Sequence, residues 1–107
     1  MNVYDEAHSL AKAIKESNEF KEFDRIRKEV DNDKECSDML KELTELQVQL
    51  QTAQLAGQQP DKEVFARFQS LSTMVMTKPL AAQYLQAQMA IATMMNDVFG
   101  IVGEAIR

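Results

Sequence analysis

Apolar positions recur along this chain at intervals of three and four residues, interrupted at a few polar points, and that rhythm predicts helices. Val3, Ala7, Leu10, Ala11 and Ile14 mark one face of a first helix from Val3 to about Glu16. Ser17 or Asn18 then offers an N-cap oxygen, and Phe20, Phe23, Ile26 and Val30 carry a second apolar face. The pattern fits either two separate helices here or one kinked rod. Asp31-Asn32-Asp33 ends the region, because such side chains compete for backbone hydrogen bonds.

From Asp33 or Lys34 the spacing becomes more regular. Cys36, Met39, Leu43, Leu46, Leu50 and Ala53 alternate three and four apart, which is a heptad seam, and Gly57 supplies a C-terminal stop. GQQPD reads as a loop, with Pro60 or Asp61 starting the next helix. Val64, Phe65, Phe68, Leu71 and Val75 line that helix, and Thr77-Lys78-Pro79 breaks it, since a residue before proline avoids helical geometry.

The last helix, Pro79 to about Ile106, carries two adjacent stripes. One runs Leu80, Tyr84, Ala87, Ile91, Met94, Val98, Ile101, Ala105; the other runs Ala81, Leu85, Met89, Ala92, Met95, Phe99, Val102, Ile106. A surface helix needs one stripe to meet its own core, so two stripes call for cover on two sides. In a chain of 107 residues the second cover is expected from another subunit.

The expected architecture is therefore all-α: one domain, 1–107, of four to five helices, forming a bundle completed by oligomerisation. Its long helices, 34–56 and 79–106, are expected antiparallel and joined through 61–76. The expected core is Leu10, Ile14, Phe20, Phe23, Leu43, Leu46, Leu50, Phe68, Leu71, Leu85 and Phe99. Self-association is assigned to the seam, Leu43, Leu46 and Leu50, or to the last helix, at Met94, Met95, Val98, Phe99 and Val102.

Composition agrees with this picture, with only three Gly and two Pro, and no Trp. The net charge of −5 disfavours a nucleic-acid backbone as the main partner, because phosphates demand surplus Lys and Arg. Up to Gln59 there are eight basic and thirteen acidic residues, and from Pro60 onward four of each, so the excess acid lies in the first half. The opening MNVYDEAHSLAKAIKE does not read as a signal peptide, and a cytoplasmic location is expected. Between Leu80 and Gly103 only Asp97 is charged, but Gln83, Gln86, Gln88, Thr93 and Asn96 interrupt the stretch too often for hydrocarbon, so no membrane partner is expected.

Candidate chemistry is sparse. His8, the only histidine, has Asp5 and Lys12 on its helix face but no constellation around it, and reads as a surface residue. Cys36, the only cysteine, sits in a first helical turn, where the dipole favours a thiolate. Glu35 and Asp38 oppose that, and its seam position favours a small buried hydrophobe. Acid pairs such as Glu42 with Glu45 lack the Glu-x-x-His repeat of di-metal bundles and read as a solvated face. There is no glycine-rich phosphate loop and no nucleophile elbow. No catalytic residue, metal or cofactor is assigned, and an enzyme is not expected. Seven methionines suit either core filling or a surface that repacks around partners. Arg25, Arg27 and Lys28 could gather into a local basic patch in an oligomer.

The segment KPLAAQYLQAQMAIATMMNDVFGIV, with YDEAHSLAKAIKESNEFKEF at the start, resembles the YlbF/YmcA family of small helical bacterial proteins. Leu10, Phe20, Phe23, Pro79, Leu80, Tyr84, Leu85 and Ala87 carry the likeness. The resemblance implies a non-enzymatic protein that forms dimers or larger assemblies. Two family members act with a third, unrelated protein in a complex that influences RNase Y-dependent RNA maturation, and through it competence, sporulation and biofilm formation. Those members bind iron-sulfur clusters through cysteines. Cys36 alone cannot supply that ligand set, so cluster binding does not carry over. The expected function is an oligomeric helical adaptor that binds itself and another protein, the alternative being a small holdase-like or prefoldin-like chaperone.

Overall fold

A computed structural model describes residues 2–107. It contains five helices and, among the described residues, no strand: α1 Val3–Lys15, α2 Asn18–Asp31, α3 Lys34–Leu55, α4 Lys62–Met76 and α5 Pro79–Glu104. Each boundary has a local cause. The Asn2 side chain caps α1 by accepting from the backbone N–H of Tyr4 at 2.8 Å. Ser17 settles the question of a kinked rod. Its hydroxyl donates to the Ile14 carbonyl at 2.6 Å and accepts from the Phe20 N–H at 3.2 Å, closing one helix and opening the next. Asp33 caps α3 through Cys36 N–H at 3.0 Å, and Asp61 caps α4 through Glu63 N–H at 2.8 Å.

The end of α3 is a paired-bond C-cap. Gln58 N–H returns to the Ala53 carbonyl at 2.9 Å and Gly57 N–H to that of Gln54 at 3.1 Å, with Gly57 at φ +71°. A side chain there would be strained, which is why glycine ends this helix. Thr77 closes α4 with a hydroxyl bond to the Met74 carbonyl at 2.6 Å, and Pro79 opens α5, where a missing N–H costs nothing.

The chain divides into two compact units, one of Glu29–Gln83 and one of the segment up to Lys28 together with Tyr84–Arg107. In the first, α3 and α4 form an antiparallel hairpin. Arg67 on α4 donates to both carboxylate oxygens of Glu42 on α3, at 2.8 and 3.0 Å. Lys78, just past α4, reaches Asp33 and Glu35 at 3.6 Å each. Val30, Cys36, Leu40, Leu43, Leu46, Leu71, Val75 and Ala81 are buried in this unit. The six residues between α3 and α4 turn the chain back on itself, so the hairpin's contacts are antiparallel.

In the second unit the Phe23 and Tyr84 rings meet at 5.4 Å with a 40° tilt, joining α2 to α5. Only Ile26 and Ala87 are buried there, while Ile14, Phe20, Phe23 and Leu85 are half-buried. Two expected core residues are exposed: Leu10 at 38% and Phe99 at 62%. Their spacing placed both correctly on apolar faces, but those faces are uncovered. Conversely Ile26, Val30, Leu40, Val75, Ala81 and Ala87 belong to the core and were absent from the expected set.

Candidate association surface

The two stripes of α5 separate in space as well as in sequence. Along the first, Leu80, Tyr84, Ile91, Met94 and Val98 are half-buried and Ala87 is buried. Along the second, Ala81 is buried and Leu85 and Met95 are half-buried, but Met89, Phe99, Val102 and Ile106 stand 69%, 62%, 55% and 89% exposed. The first stripe also opens toward its end, at Ile101. On α1, Val3, Tyr4 and Leu10 are exposed and no residue is buried. Exposed apolar side chains this numerous are a feature of surfaces that associate.

The residues assigned to self-association thus fall into distinct environments. Leu43 and Leu46 are buried and Leu50 half-buried on α3, whose packing partner is α4, so the heptad seam is consumed inside the hairpin. Met94, Met95 and Val98 are half-buried on α5, and Phe99 and Val102 are exposed beside them. The sequence reading passed over Gly100 and Gly103. A Cβ built at either meets nothing within 4 Å, so neither glycine is required by the chain's own packing. Gly100, inside the helix, costs it about 0.5–1 kcal/mol relative to alanine, whereas Gly103 lies one residue from its end. Gly100, one of three glycines in the chain and the one in a helix interior, was a legible signal.

Elsewhere the chemistry is muted. Cys36 is fully buried, and burial first, then Asp33 and Glu35, push its thiol up from the ordinary range against the opposing pull of Lys78. The thiolate is disfavoured, as the seam position suggested. His8 is exposed on α1. The basic residues of α2 face carboxylates of the same helix: Arg25 pairs with Glu22 and Arg27 with Asp24, each at 2.6 Å, and Lys28 with Asp24 at 3.2 Å. Hydrogen bonds from Arg25, and from Arg27 and Lys28, hold the carboxyls of Glu22 and Asp24 below their usual values. The patch therefore carries its own counter-charges. Among the described residues, no three His, Cys, Asp or Glu side chains are grouped to hold a metal, and no helix is long and apolar enough to cross a membrane. An open cleft of about 350 Å³ lies at the α3–α4 turn, lined by apolar Leu50, Ala53 and Val64 together with Gln49, Gln58 and Gln59. Its one charged lining residue, Asp61, is already engaged as the α4 cap.

Residues 3–107 match the family described as "Control of competence regulator ComK, YlbF/YmcA". Relatives named UPF0342 protein are similar over almost the whole chain. One from Caldicellulosiruptor saccharolyticus is 32% identical over 98% of this chain and 88% of its own length. One from Symbiobacterium thermophilum is 32% identical over 97% and 93%. Among solved structures, Bacillus subtilis RicA in complex with RicF gives a TM-score of 0.66 at 19% identity, covering 97% of this chain and 92% of the other. At that identity the likeness is one of fold.

Proposed function

Because this chain belongs to the YlbF/YmcA family, we propose that it is a regulatory adaptor, without chemistry of its own, that works by docking helical faces against a protein partner. The observation that carries this reading is the uncovered second stripe of α5, with Met89, Phe99 and Val102 facing solvent. A catalytic role would need a polar constellation, and of the two candidates His8 is exposed and Cys36 is sealed from solvent. The RicA fold neighbour was solved in complex with RicF, which supports partner binding for this fold. The family description, control of the competence regulator ComK, supports a regulatory process as the one served.

The test is affinity capture from the source bacterium's lysate after mild cross-linking, comparing the native chain with Val102→Asp. The native chain is expected to recover a defined partner set that the variant loses while keeping its helical circular dichroism. Recovery of the chain alone from both samples overturns the reading. Exposed Met74, Met76 and Met89 favour a second reading, a holdase whose thioethers adapt to many unfolded clients. Failure to slow aggregation of several unrelated unfolded proteins removes it.

A further inference from the structure

The cleft at the α3–α4 turn lies wholly within the unit Glu29–Gln83 and shares no residue with the α5 stripe. Its volume of about 350 Å³ is at the lower end of the range for ligand sites and suits one large side chain with its peptide groups. Leu50, Ala53 and Val64, each half-buried, and Pro60 give it an apolar lining. Gln49, Gln58 and Gln59 add three primary amides, each able to donate and to accept. Among the described residues these side chains make no hydrogen bond to the chain, so that capacity is open to an occupant.

Charge decides which occupant fits. Ala53 and Gln58, joined by the C-cap bond, both line the cleft, so it sits at the carboxyl end of α3, where partial negative charge gathers. The last turn of α3 has no basic residue, and from Glu42 to Asp61 the chain has no Lys, Arg or His. Asp61 is the one charged residue of the lining; its Oδ1 caps α4, and the cap does not use Oδ2. The amino end of α4, the opposite pole, already has Asp61 and Glu63 beside it. We propose that this cleft binds a segment of a partner protein in which a leucine-sized apolar side chain stands next to an arginine or lysine. The apolar side chain packs on Leu50, Ala53 and Val64, the glutamine amides bond to the segment's backbone, and the cation meets Asp61 and the end of α3. An acidic residue in place of the cation would meet like charge without compensation. The proposal takes a protein occupant from the adaptor reading and adds a second surface with its own chemistry.

The test uses the full-length, isotope-labelled chain and three blocked dipeptides: acetyl-leucyl-argininamide, acetyl-leucyl-glutamic acid amide and acetyl-glycyl-argininamide. Backbone and glutamine side-chain amide resonances are followed as each is added. Saturable shifts centred on Gln49, Ala53, Gln58, Gln59 and Val64 are expected with leucyl-arginine at about millimolar concentration, with binding at least about fivefold weaker for each of the other two. No shift at several times that concentration overturns the proposal, as do shifts scattered over other faces or equal binding of all three. Asp61→Asn removes the charge and keeps the cap, because asparagine caps a helix as well as aspartate. It is expected to weaken leucyl-arginine binding by about two- to fivefold while the helical circular dichroism holds. An undiminished preference for arginine over glutamate in Asp61→Asn overturns the charge assignment. Ala53→Arg, which puts a cation in the cleft, is expected to abolish binding, and retained binding there overturns the site. Should the dipeptides fail while the native chain still captures the partner set that Val102→Asp loses, the cleft proposal falls and the adaptor reading stands. Should leucyl-arginine bind while capture recovers the chain alone, the reverse holds.

Discussion

In the α3–α4 hairpin, the apolar stripe of each helix finds the other. Leu43 and Leu46 from one side and Leu71 and Val75 from the other are buried, and Arg67 with Glu42 fastens the pair across its outer edge. The unit that holds α1 and most of α5 has apolar stripes at least as rich, yet α1 buries nothing and Met89, Phe99 and Val102 of α5 stand exposed. The ion pairs described there, Arg25–Glu22, Arg27–Asp24 and Lys28–Asp24, stay within α2, whereas Arg67–Glu42 links two helices. The contrast teaches that an apolar stripe states a need for cover without saying who supplies it. One region meets that need within the chain and the other leaves it outstanding, and the outstanding one is where a partner gains most by binding.

The widest gap between the regions should appear in thiol chemistry. Cys36 is sealed in the hairpin with its thiol pushed up by burial, so labelling by an aromatic disulfide reagent should proceed only through opening, at least about 10³-fold slower than in denaturant. A cysteine placed at Val102 in the Cys36→Ala background should react at nearly the unfolded rate in dilute protein. Fast labelling of Cys36 in the native chain would mean that the hairpin is no more closed than α5.

Truncation gives the next largest effect. Leu71, 1% exposed, should cost about 2–5 kcal/mol on replacement by alanine, whereas Phe99→Ala should cost the monomer under about 0.5 kcal/mol. Urea denaturation at low micromolar concentration measures both. Equal losses would show Phe99 to be a core residue after all.

The smallest effect concerns acid. Glu22 and Asp24 have folded-state carboxyl values lowered by their Arg and Lys partners, so these pairs favour the folded state above the ordinary carboxylate range. That contribution is lost as pH falls through the depressed folded values. The pairs are exposed, so the acid-side loss attributable to them should be slight and should shrink further in salt. Comparing the pH dependence of the thermal midpoint in native protein and Asp24→Asn checks it, and a large difference would point to burial of α2.

Much of this was legible beforehand. Asn, Ser and Asp at caps, Gly57 after α3 and Pro79 at the head of α5 write the helix boundaries into the chain, because capping is satisfied by residues two to five apart. The two stripes of α5 and the apolar seam of α3 were equally plain. The misplaced residues are instructive. Leu10 and Phe99 were expected in the core from type and phase alone, and Leu40 and Val75 were passed over although their phase qualified them.

By itself the sequence determined where helices start and stop and which side of each is apolar, since both follow from local hydrogen bonding and the 3.6-residue repeat. Only the tertiary structure decided which apolar sides are matched within the chain. Burial depends on residues distant in sequence: Leu46 is covered because α4 folds back beside it, whereas Phe99, on an equally apolar stripe, is 62% exposed. Periodicity carries no information about that pairing.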